Sequence, residues 1–393
     1  MADIECLKQP RITETLKTLV AVDTCQPQGN EKLLINKILN MLPPDIDFRI
    51  IEHTDKRASL IVKLPGRSQK DGLAIIGHID TVAFGDIKQW QFDPLSGKEI
   101  DGRIYGRGTA DMKAGLAAMI SVIKAIIENN FTLLNDLYFC FTADEESKGI
   151  GAQALAKLEE LKNVRELIIA EPSDGKIGIA EKGVIWLKLT AHGMLAHGSR
   201  PELGINAIEK AMLFEERLRK LIKNDKVHPL LGKTTISVTG FNGGIMTNVI
   251  PETAIMEMDI RILPSVDMEL LISNARKIAD QIVNETPKLI LDLEVLNTRP
   301  SVETEIDNPF VKAFSKICIE EGLDNGYKGL HFYTDAAQIV PIIKKPFIIF
   351  GPGNDSMAHI QDEYVEVSSV INVANIYFKY ILNNYVKGGA KNE

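Results

Sequence analysis

At 393 residues, with 45% hydrophobic and 25% charged side chains, the chain has a globular composition and is too long for one ordinary core, so roughly two domains are expected. A net charge of −8 and the lack of any long basic run exclude a nucleic-acid surface, and no apolar stretch reaches the ~20 residues that span a bilayer. Cys6, Cys25, Cys140 and Cys318 are scattered without a C-x-x-C pair, which excludes a disulfide framework and a thiolate zinc site, and the opening M-A-D-I-E-C-L-K carries no basic-then-apolar leader, which points to the cytoplasm.

In chain order, residues 10–41 read as helix, interrupted by the turn-rich C-Q-P-Q-G-N at Cys25–Asn30. Strand-like pieces follow at 48–52 and 59–64, and then L-A-I-I-G-H-I-D-T over Leu73–Thr81. An extended chain points residues i and i+2 to the same side, so this stretch is expected to present His78 and Asp80 together at a strand's carboxyl edge. The D-G of Lys98–Gly108 predicts a tight hairpin, and Asp111 opens a strong helical run, M-K-A-G-L-A-A-M-I-S-V-I-K-A-I-I-E. Two further apolar runs, 137–142 and 166–170, end in Asp144-Glu145-Glu146 and in Glu171.

Strands alternating with helices imply an α/β fold: a mostly parallel sheet flanked by helices, with ligands beyond the carboxyl ends of its strands. The rhythm changes after Lys182. From 183 to 296 the order is strand, helix, strand, strand, helix, strand, the ferredoxin-like βαββαβ, expected as an inserted domain between 1–182 and 297–393. The chain then returns with a helix at 308–321, T-D-A-A near 334–337, and a run at 346–350 leading to a loop that carries His359. A helix near 366–384 closes the fold, and K-G-G-A-K-N-E reads as a frayed tail.

If His78, Asp80, Asp111, Glu145, Glu146, Glu171 and His359 meet at one sheet edge, their carboxylates repel one another and need cations. Two divalent metals answer this. Asp111, Glu146 and Glu171 with one hydroxide balance two zinc ions, and imidazole with carboxylate suits zinc, with cobalt or manganese as substitutes.

H-I-D-T-V (78–82), G-R-G-T-A-D-M-K-A-G (106–115), T-A-D-E-E (142–146), A-E-P-S (170–173), N-V-I-P (248–251) and G-P-G-N…A-H (351–359) occur in that order. Together they resemble the co-catalytic dinuclear zinc metallopeptidase and amidohydrolase family. It contains acetylornithine deacetylase, succinyl-diaminopimelate desuccinylase, aminoacylase and glutamate carboxypeptidase. The deacetylase and desuccinylase branch is the nearest.

The resemblance implies that Asp111 bridges two metals, with His78 and Glu171 on one and Glu146 and His359 on the other. It implies that Asp80 supports His78 and that Glu145 is the general base beside a metal-bridging hydroxide. His197 would help hold the oxyanion, within its own subunit or across a homodimer built through the inserted domain, which would also act as a lid. Asn248 and Arg261 would contact the substrate, an N-acyl amino acid of the N-succinyl-diaminopimelate or N-acetylornithine type. A dipeptidase or carboxypeptidase of the same family is the alternative reading, and a non-catalytic binding protein that keeps the fold is the alternative of another class.

Each residue also has a plainer reading. Glu145-Glu146 could be a solvated turn, Asp111 a helix N-cap and His359 an ordinary loop histidine. His192 competes with His197, and Asn248 and Arg261 could be surface groups. Gly149–Ala154 matches a loose G-x-G-x-x-A dinucleotide pattern, but the acids before it sit where a pyrophosphate would lie, so a helix start is expected there. Cys140, inside an apolar run, is expected to be inert, and His53, His228 and His331 are taken as structural.

Overall fold

The protein is described here from a computed structural model covering residues 4–222, 226–323 and 326–387; most of the stretch read as a frayed tail lies outside the described residues. The chain forms two compact units. One comprises Met1–Ile179, Thr304–Lys328 and Thr334–Glu393, the other Ala180–Glu303 and Gly329–Tyr333.

The first unit is built on a mixed sheet. Its centre is four parallel strands in the order Asn135–Thr142, Ser68–His78, Val164–Ile169, Phe347–Ile349. The flanks differ from the mostly parallel expectation. Ala58–Leu64 and Asp47–Glu52 are added antiparallel on one side, and Ile177–Glu181 runs antiparallel to Phe347–Ile349 on the other. Parallel pairing needs long crossovers, and the short Thr54–Arg57 turn between the first two strands permits only an antiparallel pair. Leu73–His78 is buried throughout, as expected for a central strand covered on both faces.

Helix Ala114–Glu128 is apolar nearly all round and buried along most of its length, and packs against Gln9–Val20 and Val367–Tyr385. The predicted hairpin joins Lys98–Ile100 to Arg103–Tyr105 through Asp101 (φ +49°) and Gly102 (φ +76°), the two positive φ values a two-residue turn requires.

The second unit carries the βαββαβ order as Gly183–His192, Ala207–Ile222, Thr235–Gly243, Thr253–Ile262, Met268–Glu285 and Ile290–Arg299. The four strands of this order form one antiparallel sheet, in the order Thr235–Gly243, Thr253–Ile262, Gly183–His192, Ile290–Arg299. Alternate residues Ile185, Leu187 and Leu189 face a core shared with Phe214, Leu218, Ala275 and Ile282 from the two helices. Among the described residues no helix is long and apolar enough to cross a membrane.

Candidate metal centre

The three central strands that end in acids or imidazole lie side by side, so their carboxyl ends deliver these groups to one edge. His78 is the last residue of its strand and pairs in register with Thr142, three residues before Glu145, while Ile76 pairs with Ile169, two residues before Glu171. His78 Nε2 lies 2.9 Å from Asp111 Oδ1 and 3.5 Å from Glu171 Oε1. His359, whose side chain is 53% exposed, places Nε2 3.2 Å from Asp111 Oδ2 and 3.0 Å from Glu146. The two oxygens of Asp111 therefore face two different histidines. His78, Asp111 and Glu146 offer ligand atoms within 4.8 Å of one another, close enough to hold a metal ion together.

Asp111 does not open the helix, as the sequence led us to expect. Asp111 (φ −120°, ψ 93°) and Met112 (φ −135°, ψ 32°) are non-helical and joined by a cis peptide, and the helix begins at Ala114. The carboxylate faces the two histidines and is not used as an N-cap. The loop is held by a residue the sequence reading passed over. Buried Glu363 accepts hydrogen bonds from the backbone N–H groups of Gly108 (3.1 Å), Ala110 (2.7 Å) and Asp111 (3.1 Å), and pairs with buried Arg107 at 2.7 Å. Successive N–H groups converging on one carboxylate make an anion nest. Arg107 lay inside a stretch singled out in the sequence and Glu363 four residues beyond another, but a long-range ion pair has no periodicity to reveal it.

Asp80 also departs from expectation. The acceptor at His78 Nδ1 is the Asp80 backbone carbonyl, at 2.9 Å, while its carboxylate is 3.8 Å away. A carbonyl can only accept, so Nδ1 carries the proton and Nε2 is left facing Asp111 and Glu171. The Asp80 carboxylate instead receives the backbone N–H groups of Glu145 (3.0 Å) and Glu146 (3.2 Å) and the side-chain amide of Gln26 (2.7 Å). It supports the acid pair, and its main chain supports the histidine.

The electrostatics follow from burial. Burial, reinforced by Glu171 and Glu146, holds the Glu145 carboxyl well above the usual range. Glu171 is raised well above it by burial with Asp111, Asp335 and Glu146, which together outweigh His78. Glu146 is raised by burial and by Asp111 against the pull of His359. Burial alone would lower His78, but Glu171 and Asp111 override it and hold it well above its ordinary value. Hydrogen bonds to Asp111 and Glu146 push His359 up to about 10. Asp111 moves the other way: its burial is outweighed by its bonds to both histidines, which hold it below its ordinary value. Asp335, missed in the sequence although T-D-A-A was noted, is buried against the Thr142 hydroxyl at the same sheet edge. Crowded carboxylates with two imidazoles form a donor set whose repulsion divalent cations would relieve, and nitrogen with oxygen ligands fits zinc.

The remaining candidates lie in the second unit. His197 is exposed and its Nδ1 accepts the Ser199 N–H at 3.1 Å. It pairs with Val249 in a short antiparallel ladder, beside exposed Asn248, whose carbonyl accepts the Gly198 N–H at 2.7 Å. Arg261 is bidentate to Asp259, at 2.8 and 3.0 Å, so a substrate carboxylate would have to compete with that partner. His192, the competitor of His197, lies 3.5 Å from Asp292. His53 bonds Ser59 and His228 bonds Glu303. Gly149 caps the short helix Ile150–Leu155, the plain reading of the G-x-G-x-x-A match. Burial holds the Cys140 thiol above its ordinary pKa, which disfavours the reactive thiolate.

A cluster of acids and imidazoles at the carboxyl edge of an α/β sheet, in a chain that also carries a separate βαββαβ unit, fits a metal-dependent hydrolase. The chain belongs to peptidase family M20/M25/M40, whose model matches residues 74–383. A Staphylococcus epidermidis protein named probable succinyl-diaminopimelate desuccinylase is 30% identical over 363 residues, covering 85% of this chain and 88% of that one. Acetylornithine deacetylase of Buchnera aphidicola is 28% identical over 392 residues, covering 95% and 98%. Among solved structures, aminopeptidase PepT of Bacillus cereus superposes with a TM-score of 0.80 at 22% identity, covering 96% of this chain and 98% of that one. The Bacillus subtilis YXEP protein, described as a dinuclear metal-binding M20 peptidase, gives 0.71 at 18%, covering 95% and 97%.

Proposed function

We propose that the chain hydrolyses the amide bond of an N-acyl amino acid, of the N-succinyl-diaminopimelate or N-acetylornithine type. The observation that carries this is Asp111 presenting one oxygen to His78 and the other to His359, with Glu171 and Glu146 on the respective sides. In this reading His78, Asp111 and Glu171 hold one zinc, and Asp111, Glu146 and His359 the other, with cobalt or manganese able to substitute. Bound there, the metals would polarise the scissile carbonyl and lower the pKa of a bound water from 15.7 to about 7.

The chain's own groups do the rest. The Asp80 carbonyl accepts the Nδ1–H of His78, which leaves the Nε2 lone pair free to bind a metal. Glu145 takes a proton from the attacking water and gives it to the departing amine nitrogen; its burial, which raises its affinity for that proton, suits the task. The product is a free carboxylate and an amine. The desuccinylase and deacetylase names of the sequence relatives support the choice of substrate class. His197, Asn248 and Arg261 keep the substrate-contact roles that the resemblance implies, and the inserted unit is proposed to form a homodimer.

The test is turnover of a panel of N-succinyl and N-acetyl amino acids and dipeptides, with and without added zinc. Metal-dependent cleavage of acyl amino acids is expected. Cleavage of dipeptides alone would make the chain a peptidase, and no turnover at full metal loading would leave a binding protein.

A further inference from the structure

We propose that Gln26 and Arg57 are positioning residues that brace the acid pair Glu145-Glu146 through the Asp80 carboxylate. The inference rests on the reading of Glu145 as base and Glu146 as ligand. The Asp80 carboxylate receives the backbone N–H groups of both acids, one on each oxygen. Whatever holds that carboxylate therefore sets where both acids start.

Two groups of contacts hold it. The Gln26 amide donates to Asp80 Oδ2 at 2.7 Å and to Asp144 Oδ1 at 3.3 Å, while its own oxygen accepts from Arg57 at 2.6 Å. Arg57 pairs with Asp144, with Glu31 at 3.2 Å, and with the Pro27 carbonyl at 2.6 Å. Its side chain is 12% exposed, so this is not a solvated surface pair. Asp144 sits at φ +68° and begins the turn that carries the acids. Its side chain accepts the Lys148 N–H at 3.2 Å and its carbonyl accepts the Gly149 N–H at 2.6 Å. One guanidinium thus clamps the turn at Asp144 and, through Gln26, the carboxylate beneath it.

The brace is also tied to the strand end that supplies His78. Gln26 N–H donates to the Thr81 carbonyl at 2.8 Å, Thr81 N–H to the Thr24 carbonyl at 3.2 Å, and the Thr24 hydroxyl to the Ile79 carbonyl at 2.8 Å. These bonds tie Thr24–Gln26 to Ile79–Thr81. Gly29, at φ +77°, leaves room for the guanidinium: a Cβ there would lie 3.0 Å from Arg57 Nε and 2.4 Å from Glu31 Oε2. The turn-rich C-Q-P-Q-G-N between the first two helices is shaped to bring Gln26 and Arg57 together behind the acids. Catalytic groups lose function when displaced by about 0.5 Å, and partners outside the ligand sphere are worth about 10–100-fold in affinity or activity.

The experiment uses the full chain as Gln26→Leu, Arg57→Met and Arg57→Lys, each loaded with cobalt. The visible spectrum of bound cobalt and its affinity report ligand geometry without any substrate. Gln26→Leu keeps Arg57 and its ion pairs, so its folding can be checked separately by thermal unfolding. Expected for Gln26→Leu are an altered cobalt spectrum and a kcat lowered about 10–100-fold at saturating metal, with KM changed less than about twofold. Arg57→Met should do the same, and Arg57→Lys should recover part of the loss. A folded Gln26→Leu protein with the parent's cobalt spectrum, cobalt affinity and kcat overturns the proposal. If the parent chain hydrolyses nothing, the assigned reaction fails, and the cobalt spectrum and affinity still decide whether the brace exists.

Discussion

At the scale of single residues, the site divides its work between adjacent acids. Glu145 and Glu146 share one turn and one backbone anchor, yet Glu146 is 3.0 Å from His359 and Glu145 is governed mainly by burial. Glu145→Ala should therefore lower turnover by about 10²–10⁴-fold, the range of general acid–base catalysis, while bound metal stays near that of the parent. Metal analysis beside kinetics checks it, and a variant that keeps most of its activity would remove Glu145 as the base. Glu31 makes a different prediction. Burial, reinforced by Asp80 and Asp144 and only partly opposed by Arg57, pushes its carboxyl up to about 7. The folded chain then holds a proton that the unfolded chain releases near its ordinary value of 4.5, so stability falls as pH rises through that window. Glu31→Gln lacks this penalty. The melting temperature of the variant relative to the parent should rise between pH 5 and pH 8, and a constant difference would contradict the assignment.

At the scale of elements, the Asp111 loop is an irregular turn held by one buried anion. Glu363 takes three backbone N–H groups and Arg107, which is itself buried over Trp90. Removing one partner of a buried ion pair leaves the other desolvated and unpaired, a loss of about 3–5 kcal/mol. Glu363→Ala should lose about that much in urea unfolding and should bind metal more weakly, because the loop carrying Asp111 loses its anchor. A variant of parental stability and metal affinity would show the nest to be dispensable. Close approach also matters in helix Ala114–Glu128, which follows this loop. A Cβ on Gly115 would lie 2.3 Å from the Ala170 carbonyl, so only glycine lets the helix pack against the strand end that leads to Glu171.

At the scale of the whole molecule, each unit has its own core, and the cluster of acids belongs entirely to the first. A ligand that binds only the folded state stabilises it by about 2.7 kcal/mol at a hundredfold excess over Kd. Chelation should accordingly lower the melting temperature and added zinc restore it; insensitivity to both would exclude a metal as a structural partner. The second unit offers a basis for association. Among the described residues, strand Thr235–Gly243 ends its sheet with one edge unpaired, and Val238 and Phe241 on it are exposed alongside Met212 of helix Ala207–Ile222. Such an edge is a template for pairing with another chain. Light scattering is expected to return a dimer, and a monomer at assay concentrations would remove both the dimer and any role for His197 across it.

What the sequence determined by itself was what local pattern can carry. Apolar runs ending in His78, Glu145-Glu146 and Glu171 marked parallel strands whose carboxyl ends meet, and the change of rhythm after Lys182 marked the βαββαβ unit. The D-G hairpin was legible because a two-residue turn has fixed dihedral demands. Only the tertiary structure decided the rest. Periodicity could not show that the helix after Asp111 starts at Ala114, because the turn is stabilised by Glu363 from a distant part of the chain. Nor could it show that the Asp80 carbonyl serves His78 while its carboxylate serves the acids. Gln26, Arg57, Arg107, Asp335 and Glu363 were invisible as site residues for the same reason. A buried polar group is satisfied by partners far away in sequence, and a hydrogen bond across that distance leaves no mark on the residues beside it.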